Sequence, residues 1–237
     1  MIAGMCWLAL TYLLAAVPFG LLITTLYGGD EDIRAEGSGN IGATNVARVY
    51  GWRLAVPVIL LDVGKGLVPV VFAELLWPGA SHWWFGAVAL TAFAGHVWSI
   101  YLSFNGGKGV ATGAGVMLGL APIPTLFAAL AWSVVLFVSG RSSLASLVAT
   151  GVLVGVIWQV DPAILPLGLL LAVGIFVSHT ANIRRLIAGD EAAIVRPVRW
   201  GRAGNNQAED PALLLERGPS GGAPLPVWRV QPAGDPS

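Results

Sequence analysis

Apolar residues in this chain run in long uncharged blocks, separated by short polar stretches rich in Gly and Pro. No Asp, Glu, Lys or Arg occurs in residues 1–29, 75–107, 109–140, 142–160 or 162–183. A helix crossing the hydrocarbon core of a bilayer needs roughly 20 apolar residues, so each block holds at least one span and the longer ones have room for two. Gly, Pro and polar residues punctuate the blocks at 28–30, 77–79, 104–106, 121–122, 140–141 and 161–162. The pattern predicts an all-α polytopic membrane helix bundle of about seven transmembrane segments, at 2–27, 53–77, 83–103, 109–121, 123–139, 143–159 and 163–178.

Composition agrees with a lipid-facing protein. The 237 residues are 56% hydrophobic and only 11% charged, with a mean hydropathy of +0.75; soluble domains carry about 25% charged residues. Formal net charge is zero, so nothing points to nucleic acid as a partner. The single cysteine, Cys6, excludes an intramolecular disulfide and any multi-cysteine metal or redox motif. The first block lacks the basic start of a signal peptide and reads as a retained helix. From about residue 201 six Pro and six Gly fall within the last 37 residues, the composition of a disordered cytoplasmic tail. Residues 1–200 are expected to form the membrane domain and 201–237 the tail.

The basic residues set an expected orientation. With the N-terminus outside and seven crossings, Arg34, Arg48, Arg53, Lys108, Arg141, Arg184 and Arg185 all fall on the inner side, whereas the outer connections at 78–82, 121–123 and 159–162 have no Lys or Arg. The positive-inside rule then puts the C-terminus in the cytoplasm.

Five polar clusters carry candidate chemistry. Residues 37–48, GSGNIGATNVAR, formally contain a dinucleotide-binding GxGxxG, but they follow a transmembrane segment and not a buried strand, so that reading fails. What survives is an anion cradle: Gly37, Gly39 and Gly42 free the backbone, Ser38, Asn40, Thr44 and Asn45 supply uncharged donors, and a helix starting near Gly42 puts Thr44 and Arg48 on one face. Asp62 and Lys65 adjoin on one helix face. They form either a structural ion pair or a ligand contact, and the flanking Gly64 and Gly66 favour the second. Asn105, Gly106, Gly107, Lys108, Gly109 and Thr112 repeat the design of the first loop with bare amides, a cation and a hydroxyl. The short fourth segment, with Gly109, Gly113, Gly115 and Gly119, is either tightly packed or a buried half-helix. Ser142 and Ser143 follow Arg141 on the same membrane face. Finally, His179 and Asn182 share a helix face at the inner end of the last segment, with Glu191 beyond them. No metal cluster is visible, and no metal or cofactor is expected. The GxSxG letters at 218–222 fall in the tail and are a chance match.

Taken together, GSGNIGATNVAR (37–48), LDVGKG (61–66), FNGGKGVAT (104–112), RSSLAS (141–146) and HTANIRRLIAGDE (179–191) resemble, in this order, the bacterial membrane acyl-phosphate:glycerol-3-phosphate acyltransferases of the PlsY type. The resemblance spans about residues 10 to 195. One departure is Ala15-Ala16-Val17-Pro18, where the family commonly reads Gly-Ser-Ile-Pro. The resemblance implies a seven-helix bundle with a cytoplasm-facing site. It also implies transfer of a fatty acyl group from acyl phosphate to the 1-hydroxyl of sn-glycerol 3-phosphate, giving lysophosphatidic acid and phosphate. For site residues it implies that Lys108, Arg48 and Lys65 neutralise phosphate, that Ser38, Asn40 and Thr44 with the loop amides hold the acyl phosphate, and that His179 and Asn182 hold glycerol 3-phosphate, with Glu191 orienting that helix end. The hydroxyl proton goes to His179 or to a substrate phosphate oxygen. A transporter for an organic phosphate is the competing class; it would use the same cations, but nearer mid-membrane and with an inverted repeat.

Overall fold

The computed structural model describes residues 1–27 and 32–194. The break at 28–30, the expected domain boundary at 200 and the tail lie outside these residues. Among the described residues every regular element is helical: α1 Ile2–Ala16, α2 Phe19–Leu26, α3 Ala43–Tyr50, α4 Trp52–Leu76, α5 His82–Val97, α6 Val110–Leu120, α7 Pro122–Ser139, α8 Ser142–Val160, α9 Leu165–Ser178 and α10 Thr180–Ala188, with short 3-10 turns at Ile100–Leu102 and Pro162–Ile164.

Four segments, Trp52–Leu76, His82–Leu102, Pro122–Ser139 and Ser142–Val160, are long and apolar enough to cross a membrane unbroken. The first predicted segment is instead two helices, α1 and α2, bent by 44° at Val17 and Pro18. Pro18 has no N–H to continue the ladder, and the carbonyls this exposes find side-chain donors: Ser99 Oγ donates to the Ala16 carbonyl at 2.6 Å and Lys65 Nζ to the Val17 carbonyl at 2.8 Å. The last segment likewise continues past a 61° bend at His179 into α10. The fourth predicted segment is α6, with 11 residues, about 16 Å long at 1.5 Å per residue and therefore half a bilayer.

Close packing of α4 on α6 makes that short helix possible. A Cβ on Gly66 would overlap the Thr112 carbonyl, and one on Gly115 would overlap the Val63 carbonyl, so the two backbones touch. Small residues permit such approach between membrane helices. A central apolar core of Ala15, Val70, Ala92, Phe93, Val116 and Ile157 joins α1, α4, α5, α6 and α8. A second cluster of Ile23, Ile33, Ala43, Val46, Ala55 and Val58 holds the loop before α3 against α2 and α4.

Candidate active site

The first glycine loop is organised by its own asparagines. Asn45 Oδ1 accepts from the Ser38 amide at 2.7 Å, while Asn45 Nδ2 donates to the carbonyls of Ile33 and Glu36 at 3.1 and 2.9 Å. Asn40 Oδ1 accepts from the Gly42 amide at 2.7 Å, closing a turn that starts α3 at Ala43, where the sequence pattern puts it. Gly37 and Gly39 have positive φ, and a side chain on Gly37 would strike Asn45. Arg48 Nη1 donates to Asn45 Oδ1 at 3.1 Å. Its Nε is buried without a hydrogen-bond partner among the described residues.

The second loop differs from its sequence-based reading. The amides of Gly106 and Gly107 are not bare: they donate to the carbonyls of Val97 and His96, each at 3.0 Å. Asn105 is exposed and bonds back to the Ser103 carbonyl. Both glycines are required sterically, since a Cβ on Gly106 would overlap the His96 carbonyl and one on Gly107 the His96 ring. The loop thereby crosses the end of α5 at backbone contact and delivers Lys108. Gly109, with φ +79, turns the chain into α6. Thr112 is fully buried and lies off the cavity.

Lys108 meets a third group. Its Nζ donates to Asn182 Oδ1 at 2.5 Å, and Asn182 Nδ2 donates to Glu191 Oε1 at 2.6 Å. Glu191 also accepts from Ser143 Oγ at 2.6 Å and Arg185 Nε at 2.7 Å, and its carbonyl accepts from Arg141 Nε at 3.0 Å. Burial works against the Glu191 carboxylate, but the bonds from Ser143, Asn182 and Arg185 outweigh it and hold its pKa below the usual value. Burial, reinforced by Arg185 and Arg48 and opposed by Glu191, brings the Lys108 ammonium down to about 8. His179 is buried, and its Nδ1 lies 2.8 Å from the Ile175 carbonyl. A carbonyl only accepts, so Nδ1 carries the proton, and in the neutral imidazole Nε2 keeps its lone pair. Ser178 Oγ ties this helix end to the second loop by donating to the Lys108 carbonyl at 3.0 Å.

These groups share one cavity of about 350 Å³. Ser38, Asn40, Gly42, Thr44, Asn45, Arg48, Lys108, Gly109, Ser142, Ser143, His179, Asn182 and Glu191 line it; Gly37, Gly39, Lys65, Asn105, Gly106, Gly107 and Thr112 do not. Lys65 is buried, 2.8 Å from Asp62 and bonded to the Val17 carbonyl. The ligand contact expected for it is therefore replaced by an ion pair that pins the α1–α2 bend, and Gly66 serves the α4–α6 contact. Asp62, grouped with Lys65 in the sequence, also lines the cavity, as does His96, which escaped the sequence-based set. His96 lay in an uncharged helix, where nothing but the cost of burying an imidazole singled it out. Among the described residues no group of three or more His, Cys, Asp or Glu could hold a metal ion.

Comparison with known proteins agrees with the helical membrane architecture. The profile of the glycerol-3-phosphate acyltransferase family matches residues 5–189. The glycerol-3-phosphate acyltransferase of Pseudomonas paraeruginosa is 46% identical over 192 residues, covering 79% of this chain and 98% of that one. Its counterpart in Trichlorobacter lovleyi is 43% identical over 194 residues, covering 81% and 98%. Two crystal forms of PlsY, an integral membrane glycerol 3-phosphate acyltransferase, superpose on 81% of this chain and 95% of theirs. The glycerol 3-phosphate form does so with TM-score 0.76 at 34% identity, and the lysophosphatidic acid form with TM-score 0.73 at 33%. The chain thus belongs to the glycerol-3-phosphate acyltransferase family of integral membrane enzymes.

Proposed function

We propose that the cavity binds an acyl phosphate and sn-glycerol 3-phosphate side by side and transfers the acyl group to the 1-hydroxyl, with release of inorganic phosphate. The observation that carries the residue roles is the convergence of Lys108, Arg48, His179 and Asn182 on one cavity whose remaining wall is mostly apolar. One end suits phosphate and the other an alkyl chain, and this reaction brings both.

Lys108 and Arg48 take the phosphate charge: Arg48 has a buried N–H free to donate, and Lys108 is held by a single neutral acceptor, Asn182, which a phosphate oxygen outcompetes. The start of α3, with Ser38 and Thr44 beside it, offers further donors to the acyl phosphate and to the oxyanion that develops on the carbonyl. His179 Nε2 accepts from the glycerol 1-hydroxyl and aims its oxygen at the acyl carbon. The new C–O ester bond forms as the bond from acyl carbon to phosphate oxygen breaks, and the hydroxyl proton passes to His179 or to the departing phosphate. Phosphate is a good leaving group, so alignment and charge stabilisation suffice without a covalent intermediate.

We also infer that the polar end faces the cytoplasm. The Lys and Arg asymmetry supports this; the cluster of Trp7, Trp77 and Trp84 at the opposite end of α1, α4 and α5, with ring centroids 6.0 and 5.2 Å apart, marks the other interface without setting the orientation. Tryptophan gathers at membrane–water interfaces. In a Cys6→Ala background, Ala80→Cys is expected to react with a membrane-impermeant maleimide in intact cells and Arg34→Cys only after lysis; the reverse pattern overturns the orientation.

The reaction is tested with detergent-purified full-length protein given palmitoyl phosphate with and without glycerol 3-phosphate. Phosphate release that depends on glycerol 3-phosphate supports the proposal. Silent, folded protein that instead carries glycerol 3-phosphate into proteoliposomes makes it a transporter.

A further inference from the structure

Two rings on α5 seat the second glycine loop. A Cβ on Gly109 would overlap the Phe93 ring, just as one on Gly107 would overlap the His96 ring, 2.9 Å from Cε1 and 3.1 Å from Cδ2. Lys108 stands between these two glycines, so α5 supports it from both sides. His96 also holds Gly107 by its backbone, its carbonyl accepting from the Gly107 amide at 3.0 Å. An apolar ring serves at Phe93, yet its companion is an imidazole only 4% exposed, whose Nδ1 has no hydrogen-bond partner among the described residues. Burying such a group carries a cost that a phenyl ring would not. What faces Nδ1 is a carboxylate: Asp62 Oδ1 lies 3.8 Å away, and the same oxygen is 2.8 Å from Lys65 Nζ. A hydrogen bond does not span 3.8 Å, but the field of the carboxylate still favours an N–H at Nδ1 and so fixes which edge of the ring is turned to Gly107.

We infer that His96 is a positioning residue for Lys108: the Asp62–Lys65 pair orients its ring, the ring sets where Gly107 rests, and Gly107 sets where the Lys108 ammonium stands against Asn182. This rests on the reading of Lys108 as a residue that takes phosphate charge. Without the ring a void opens beneath Gly107, and the loop is held only by its backbone bonds and by Ser178 Oγ on the Lys108 carbonyl. The surroundings of a buried void relax part of the way into it. A displacement of about 1 Å at a group that stabilises charge costs about 10²-fold in rate.

The test is a double-substitution cycle, read as kcat/KM of the full-length purified enzyme with palmitoyl phosphate and glycerol 3-phosphate. His96→Asn keeps an amide for Asp62 to face and removes the ring edge that meets Gly107, whereas His96→Ala removes both. In the native background His96→Asn is expected to lower kcat/KM about tenfold and His96→Ala about 100-fold. With Lys108→Ala already in place each should cost less than about twofold, because the group they position is gone. Gly107→Ala drives the loop off the ring from the other side and should follow the pattern of His96→Asn, which keeps the inference testable if the His96 variants do not fold. A structural role alone, or direct contact of the ring with substrate, would cost the same factor in both backgrounds. That result, or an unchanged kcat/KM in the native background, overturns the inference. An undiminished rate in Lys108→Ala alone would instead overturn the reading of Lys108 beneath it.

Discussion

Lys108 and Asn182 lie 74 positions apart in the chain, yet the ammonium of one donates to the side-chain carbonyl of the other at 2.5 Å. Asn182 is a neutral adaptor. It accepts from the cation and donates to Glu191, so the charges of Lys108 and Glu191 are coupled without an ion pair that would quench the ammonium. Lys108→Ala is expected to reduce kcat/KM by about 10²–10³-fold, the usual cost of removing one preorganised charge-stabilising donor. Steady-state kinetics with thermal unfolding of the same preparation checks this; a normal kcat/KM would exclude Lys108 from the chemistry.

The same residue fixes an alkaline limit. Burial brings its pKa down to about 8 from the ordinary 10.5, so the ammonium that binds phosphate is present below that pH and titrates away above it. For the free enzyme kcat/KM should therefore fall as pH rises through about 8. Lys108→Arg, whose guanidinium stays protonated, should abolish that limb even if its overall rate is lower. A pH profile of the two proteins decides it, and a limb that survives in Lys108→Arg belongs to another group.

Glu191 anchors the segment after α10 to Ser143, Asn182 and Arg185 at once. Replacing it by Ala leaves buried donors without a partner, which costs about 1–3 kcal/mol. Asn182 is also freed to rotate away from Lys108. Glu191→Ala should lower both thermal stability in detergent and kcat/KM, whereas Ser143→Ala, which removes one of the three donors to its carboxylate, should do so weakly.

Lys65 is predicted to behave as a structural residue. Lys65→Met strands Asp62 as a buried charge and should destabilise the protein by about 3–5 kcal/mol, and the added Asp62→Asn change should restore part of that loss. The KM for glycerol 3-phosphate in the surviving folded fraction should stay near wild type. A raised KM with unchanged stability would return Lys65 to the binding site.

Much of this was legible in the chain before any coordinates. Charge-free blocks mark the helices because lipid excludes charge, and glycine loops followed by Lys108 and by Arg48 mark the polar end because phosphate needs donors with little steric cover. What the sequence could not resolve is which purpose a given glycine serves. Gly106 and Gly107 look like amide donors in one dimension, but in three they are close approaches to His96. Gly66 looks like clearance around Lys65, but it is the contact point of α6. The bend at Pro18 was likewise invisible as a site for Lys65, because its partner carbonyl at Val17 lies 48 positions away. Local pattern reports backbone freedom, and only the packed bundle reports what uses it.

The most direct measurement follows both products from detergent-purified enzyme given palmitoyl phosphate and glycerol 3-phosphate, for wild type, Lys108→Ala and His179→Ala. Wild type should yield 1-acyl-glycerol 3-phosphate and phosphate in equal amounts, with both rates down about 100-fold or more in each variant. Phosphate release without acylated glycerol 3-phosphate, or acylation undiminished in both variants, would contradict the assignment of this cavity.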